Sequence, residues 1–233
     1  MVAFFELYSL TASYSHLKNV YSSLKFLHKA MNLAFIEEEF QVNTILQSLK
    51  RKLSNVPFQV LPITPQILKD LYNFIDINIP ADLALWSSFL VAFYCLFRKA
   101  NVSPKNIQKF DPNKELSRKK LCYVPDLNVI LVYSNFSKTN QFMSKEIVIP
   151  LCQNGTQSLD PVFHLRKVLA WNLPENSPAF SYIDNGLKCV TYASFTFHLK
   201  CLLSLAGYAP EMYSGHSFRR GVPPCFFSLI VTL

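Results

Sequence analysis

Leu121-Cys122-Tyr123-Val124-Pro125-Asp126-Leu127-Asn128-Val129-Ile130-Leu131-Val132-Tyr133 is where the hydrophobic period of the chain changes. Leu121 to Val124 and Val129 to Tyr133 are short runs of β-branched and aromatic residues, and Pro125 to Asn128 between them has the chemistry of a turn. Glu146 to Ile149 is a third such run. The polar connection that holds Lys138-Thr139-Asn140-Gln141 joins it to the second. These runs predict a small three-stranded antiparallel sheet inside a chain that is otherwise helical in pattern.

Upstream of the sheet, residues 14 to 31 place Leu17, Val20, Tyr21, Leu24, Leu27 and Ala30 at three-to-four spacing, the mark of an amphipathic helix. Residues 37 to 52 repeat the pattern with Phe40, Ile45, Leu46 and Leu49. Glu37, Glu38 and Glu39 open this second helix and Lys50, Arg51 and Lys52 close it, as the helix dipole favours. Two helices make a poor core, so they read as part of a small helical domain. Leu53 to Pro62 reads as a linker. Thr64-Pro65 supplies an N-cap and a proline at the first helical position, starting a helix to about Ile75. Pro80 precedes an apolar helix expected to end near Arg98. Beyond the sheet, helices are expected at 161 to 171, at 191 to 206 and from a start near Ser214. The fold class is therefore mainly α with a small three-stranded antiparallel β-sheet.

Composition narrows the class of partner. The 233 residues are half apolar, and 23 basic against 15 acidic residues give a net charge of +8. A basic excess of this size keeps nucleic acid in play. The apolar stretch Leu83 to Phe97 runs 15 residues without a charge. That is short of the roughly 20 that a membrane span needs, so it reads as a buried core helix. Met1 to Leu10 is apolar but carries Glu6 and no basic run, and does not read as a signal peptide. Cys95, Cys122, Cys152, Cys189, Cys201 and Cys225 show neither C-x-x-C spacing nor a zinc-type cluster with His, and read as free thiols in a reducing compartment.

Four basic residues stand in contexts that suggest chemistry: Arg98 in Phe97-Arg98-Lys99-Ala100-Asn101, Lys138 in Ser137-Lys138-Thr139-Asn140-Gln141, and His216 with Arg219 in Ser214-Gly215-His216-Ser217-Phe218-Arg219-Arg220-Gly221. At a helix start, residues i and i+3 share a face, and the free N–H groups there attract phosphate. His216 and Arg219 on that face would make a site for one phosphodiester. Taken singly, each has an ordinary structural reading: a snorkelling arginine, an exposed hairpin lysine, a capped helix. Their order on helix, hairpin and helix is what joins them.

In residue type, order and element, this set resembles the catalytic domain of tyrosine recombinases. It is most similar to the recombinases of animal mobile elements of the Crypton and DIRS type, which show an R-K-x-N segment, an S-K-T-N-Q hairpin and a G-H-S-F-R-R-G motif. They also show a helical segment like Tyr21 to His28 followed by a basic L-K-R. The resemblance runs from about residue 14 to Gly221. It implies residues 1–56 as part of a helical SAM-like core-binding domain and residues 57–233 as the catalytic-like domain. It implies double-stranded DNA as partner, assembly of several copies on that DNA, an intracellular and nuclear setting, and strand breakage and rejoining without metal or cofactor. In the family, a tyrosine hydroxyl attacks a DNA phosphate, two arginine forks hold the charged oxygens, a lysine protonates the leaving oxygen and a histidine assists. By resemblance, Arg98 and Arg219 are the clamps, Lys138 the acid and His216 the helper. Lys50, Arg51, Lys52, Arg118, Lys119 and Lys120 are candidate contacts to backbone phosphate.

The sequence departs from the family after Arg219. The last tyrosine is Tyr213, which reads as a packing residue, so the nucleophile is missing. The family's second His or Trp is also absent, and Pro223 and Pro224 should break the helix near Val222. The apolar tail Cys225 to Leu233 is unlike the family, as expected of a truncated product. Asn101 stands where the wider family often has an acid. Three readings stay open: a recombinase relative that binds DNA without cutting it, a recombinase that borrows tyrosine from another subunit, and a small helical interaction protein with a vestigial motif.

Overall fold

Thr64 and Pro65 begin the larger part of the molecule as their chemistry dictates. The Thr64 side chain accepts from the Ile67 N–H, Pro65 occupies the first turn, and helix α4 follows (Pro65–Tyr72). The computed structural model describes residues 2–33, 39–53, 60–134 and 147–221, and the chain divides into two compact units, Met1–Gln59 and Val60–Leu233.

The first unit has three helices: α1 (Val2–Tyr8), α2 (Tyr14–Ala30) and α3 (Glu39–Leu53). The sequence pattern announces only the last two. The first supplies Phe5, fully buried, to a core shared with Leu17, Val42, Leu46 and Leu49. Leu27 and Phe40, expected on the apolar faces, are instead 51% and 83% exposed. The inward stripe of α2 runs through Leu17, Tyr21, Leu24 and His28, which leaves Leu27 on its flank. Phe40 lies two residues, more than half a turn, from buried Val42.

In the second unit, α5 (Pro80–Tyr94) is buried without a break from Leu83 to Phe93. Among the described residues no helix is long and apolar enough to cross a membrane. The helix ends four residues before the expected Arg98. Leu96 takes a left-handed conformation (φ 51°), with Phe97 N–H donating to Ala92 C=O at 3.1 Å and Leu96 N–H to Phe93 C=O at 3.3 Å. This paired bond pattern is the Schellman stop, with leucine where glycine is usual. Arg98 therefore does not close a core helix; it stands at the N-cap position of a separate short helix, α6 (Lys99–Val102).

Strands β1 (Leu121–Val124), β2 (Val129–Ser134) and β3 (Ile147–Cys152) form the antiparallel sheet in the order β1-β2-β3. Asn128, with φ 49°, closes the turn between the first two. Tyr123, Ile130 and Leu151 lie in one row, and Leu121 and Val132 in the next row on the same, core-facing side. The third strand runs three residues past its expected end and includes Pro150, which an edge strand tolerates. Helix α7 (Pro161–Leu169) follows, capped by the Asp160 carboxylate. A second hairpin, β4 (Ser181–Ile183) with β5 (Leu187–Cys189), lies between the helices expected at 161 to 171 and 191 to 206, in a stretch for which no element was expected. Helix α8 (Tyr192–Leu205) opens with a reciprocal cap between Thr191 and Ser194. The core gathers Trp86, Phe89, Phe93, Phe180, Phe195 and Phe218, all essentially buried. The protein is thus mainly α with a small three-stranded antiparallel sheet, an α+β class.

Candidate functional site

Phe218 fixes the loop that carries the two outward basic groups. Its buried ring lies 5.4 Å from Phe89 of α5 and 5.5 Å from Phe195 of α8, centroid to centroid. Ser217 beside it is also buried, and its hydroxyl accepts from the Ser214 N–H at 3.0 Å. His216 and Arg219 point the other way and are exposed. The Arg219 N–H donates to the His216 C=O at 3.1 Å, closing one 3₁₀ turn over Ser217–Arg220. Side chains three apart eclipse in such a turn, so His216 and Arg219 share a side.

The α-helix expected from Ser214 is not formed within the described residues; a four-residue 3₁₀ turn stands in its place. A turn this short sums too few peptide dipoles to draw an anion by itself. Any affinity for phosphate at this loop rests on the imidazole and guanidinium.

Two further contacts immobilise the loop. The extended segment 60–64 runs along it: Leu61 N–H donates to Met212 C=O at 2.7 Å and Ile63 N–H to Ser217 C=O at 3.0 Å. Arg220 Nη1 donates to the Val60 carbonyl at 2.9 Å. Gly221 presses so closely here that a Cβ would fall 1.5 Å from the Ile63 carbonyl oxygen. On the other side, Gly215 rests on Lys99, where a Cβ would meet Cδ at 2.6 Å and Cγ at 2.8 Å. Lys99 follows Arg98 and Gly215 precedes His216, so Arg98 and His216 flank a single packing contact. Arg98 itself is partly buried.

Arg98 and His216 are thus the chain neighbours of two residues in contact, and Arg219 lies one 3₁₀ turn beyond His216. Lys138 lies outside the described residues. Tyr213, 6% exposed, is packed in the core with its ring against Tyr208. Two of the basic residues expected to face phosphate do not. Arg118 is 5% exposed and its Nη2 donates to the carbonyls of Val168, Leu169 and Trp171 at 3.1, 3.2 and 2.9 Å. It closes the end of α7, where carbonyls lack helical partners and a cation is favoured. Lys120 is buried too, and its ammonium donates to the carbonyls of Asn113 and Glu115 at 3.0 and 2.8 Å. Of that basic triplet only Lys119 is exposed; Lys50, Arg51 and Lys52 form the exposed last turn of α3.

The five described cysteines are free thiols. Burial raises the Cys189 thiol to about 11 and pushes that of Cys95 higher still, which keeps both from acting as nucleophiles near neutral pH. Among the described residues no group of three or more His, Cys, Asp or Glu is placed to hold a metal. No protein-family model and no curated protein matches this chain.

Proposed function

We propose that this chain is a DNA-binding relative of the tyrosine recombinases, and that by itself it grips a DNA phosphate without cutting the strand. One observation supports this reading above the others. Gly215 packs on Lys99, so the chain neighbours of Arg98 and His216 touch although the sequence separates them by more than a hundred residues. Two guanidinium groups and an imidazole can share the non-bridging oxygens of one phosphodiester, and the planar fork of arginine suits that geometry better than lysine. The recombinase-like character of the α+β unit belongs to the same reading. So do duplex DNA as the partner, assembly of copies on it, and a nuclear setting.

In this reading a cutting step would need a tyrosine hydroxyl from beyond these 233 residues, whose last tyrosine, Tyr213, lies ahead of the His216–Arg219 turn. The clamp stabilises charge on a phosphate but has no hydroxyl to transfer it to. Duplex binding followed by fluorescence anisotropy, with salt varied, tests the reading. Sequence-tolerant binding that weakens steeply with salt is expected. No binding even at low salt would favour a helical interaction protein. A covalent adduct formed only with a second, tyrosine-bearing chain would favour a nucleophile donated between subunits.

A further inference from the structure

We infer that Lys99 is a positioning residue that sets the distance between the two arms of the phosphate site; this role rests on the DNA-binding reading. The side chain is used at both ends. Its ammonium donates to Thr196 Oγ1 at 3.0 Å and sits 3.9 Å above the centre of the Tyr192 ring, both in the first turns of α8. Its stem lies under Gly215, so closely that a methyl there would collide with Cδ, Cγ and Cβ at 2.6, 2.8 and 3.0 Å. An ammonium held by a hydroxyl and an aromatic face cannot swing freely, and a pinned stem makes a firm floor.

The consequences fall on the neighbours. The backbone of Lys99 is shared with Arg98, whose carbonyl accepts from the Asn101 N–H at 2.7 Å to close the first turn of α6. The backbone of Gly215 is shared with His216, and one 3₁₀ turn carries the constraint on to Arg219. Phe218 and the segment 60–64 hold the loop from the core side, so Lys99 is the contact that fixes it relative to Arg98. Removing the stem lets the loop settle toward α6 and changes the spacing between guanidinium and imidazole. Small misplacements of this kind weaken multidentate recognition without deleting any contacting group. Lys99 thus acts through Arg98 and His216; its own charge is spent on α8.

A double-mutant cycle on the full chain tests this. Affinity for a short labelled duplex is measured as a function of salt for the wild type, Lys99→Ala, Lys99→Met, Arg98→Ala and the Lys99→Ala/Arg98→Ala pair, with thermal midpoints as a check on folding. Lys99→Ala should weaken binding about tenfold, within the range for residues that couple by contact. In the Arg98→Ala background it should add nothing. Lys99→Met keeps an unbranched stem under Gly215 and should lie nearer the wild type, with an unchanged salt slope; it also serves if the alanine variant fails to fold. A direct phosphate contact by Lys99 would read differently. Both Lys99 variants would then lose affinity equally, each would lower the salt slope by about 0.9, and the loss would add to that of Arg98→Ala. That result overturns the positioning role while leaving the DNA reading intact. A wild-type chain that binds no duplex overturns both.

Discussion

Replacing Arg118 with Met separates a structural cation from a DNA contact. The native guanidinium makes three hydrogen bonds to the end of α7. Charged hydrogen bonds contribute about 1.5–3 kcal/mol each when one partner is deleted, which would sum to an implausible loss if all three counted in full. They do not. The Val168 carbonyl also accepts from the Trp171 N–H, and the Trp171 carbonyl from the Leu173 N–H, so two of the three acceptors keep a donor. Against them stands the cost of the buried charge. Burial lowers the pKa of Arg118, which means the fold strains against its ionised form, and among the described residues its Nη1 has no hydrogen-bond partner. One acceptor bond lost outright, a helix-end cation removed and a desolvation cost relieved leave a net loss of roughly 2–4 kcal/mol. For a unit of this size that lowers the thermal midpoint by about 6–12 °C. Scanning calorimetry reads the midpoint, and a salt titration on duplex DNA reads the slope. The midpoint should fall and the slope should stay. A midpoint unmoved within about 2 °C, with a slope reduced by one phosphate contact, would refute the structural role.

Three other outcomes follow from the same geometry. His164 is fully buried, its Nε2 lies 2.9 Å from the Gln157 carbonyl, and burial lowers its pKa to about 4. The unfolded chain therefore takes up this proton first, so stability is lost as pH falls from about 6.5 to 4, by about 3 kcal/mol in all; urea unfolding should show that component vanish in His164→Gln. Phe218→Ala should cost about 3–5 kcal/mol and release the loop, so that duplex affinity falls with stability, whereas retained affinity in a folded Phe218→Ala chain would mean that the core anchor does not align the site. On a nicked suicide duplex the purified chain should form no covalent adduct, and an adduct abolished by Tyr213→Phe would make that buried tyrosine the nucleophile.

Several parts of the fold were legible because the deciding chemistry is local. The turn at Pro125 to Asn128, the cap at Thr64 with Pro65 and the uncharged run from Leu83 all follow from neighbouring residues. The hairpin of β4 and β5 was legible in principle: Asn185 and Gly186 both take positive φ, and Asn-Gly is the strongest short hairpin signal. The strands on either side are only three residues long, too short for alternation to show. Helix α1 was read only as an apolar start, since seven residues span too little of the helical period. The end of α5 was missed because Leu96 does the work of glycine, which no propensity rule suggests.

The geometry around the candidate site was only partly legible. Spacing alone marks His216 with Arg219, but not the floor beneath them. Lys99 and Gly215 touch across more than a hundred residues, and only the folded chain brings them together. The clearest available hint was the glycine itself, a residue that permits close approach. The basic triplet misled for the opposite reason. Lysine and arginine in a row read as a solvated face, whereas backbone carbonyls draw two of them inward, those at the end of α7 for Arg118 and those of Asn113 and Glu115 for Lys120. Sequence charge does not reveal which cations face water.

The DNA-binding proposal requires that Arg98 and Arg219 hold the same phosphate. Duplex binding of the wild type, of Arg98→Ala, of Arg219→Ala and of the double variant, each titrated with salt, measures this most directly. Two arginines on one phosphate predict that each single variant loses at least tenfold in affinity, and that the double variant loses less than the product of the two. The slope of log affinity against log salt should then fall by only about 0.9 in the double variant, the value of one phosphate contact. Full affinity and an unchanged slope in the double variant would contradict the account.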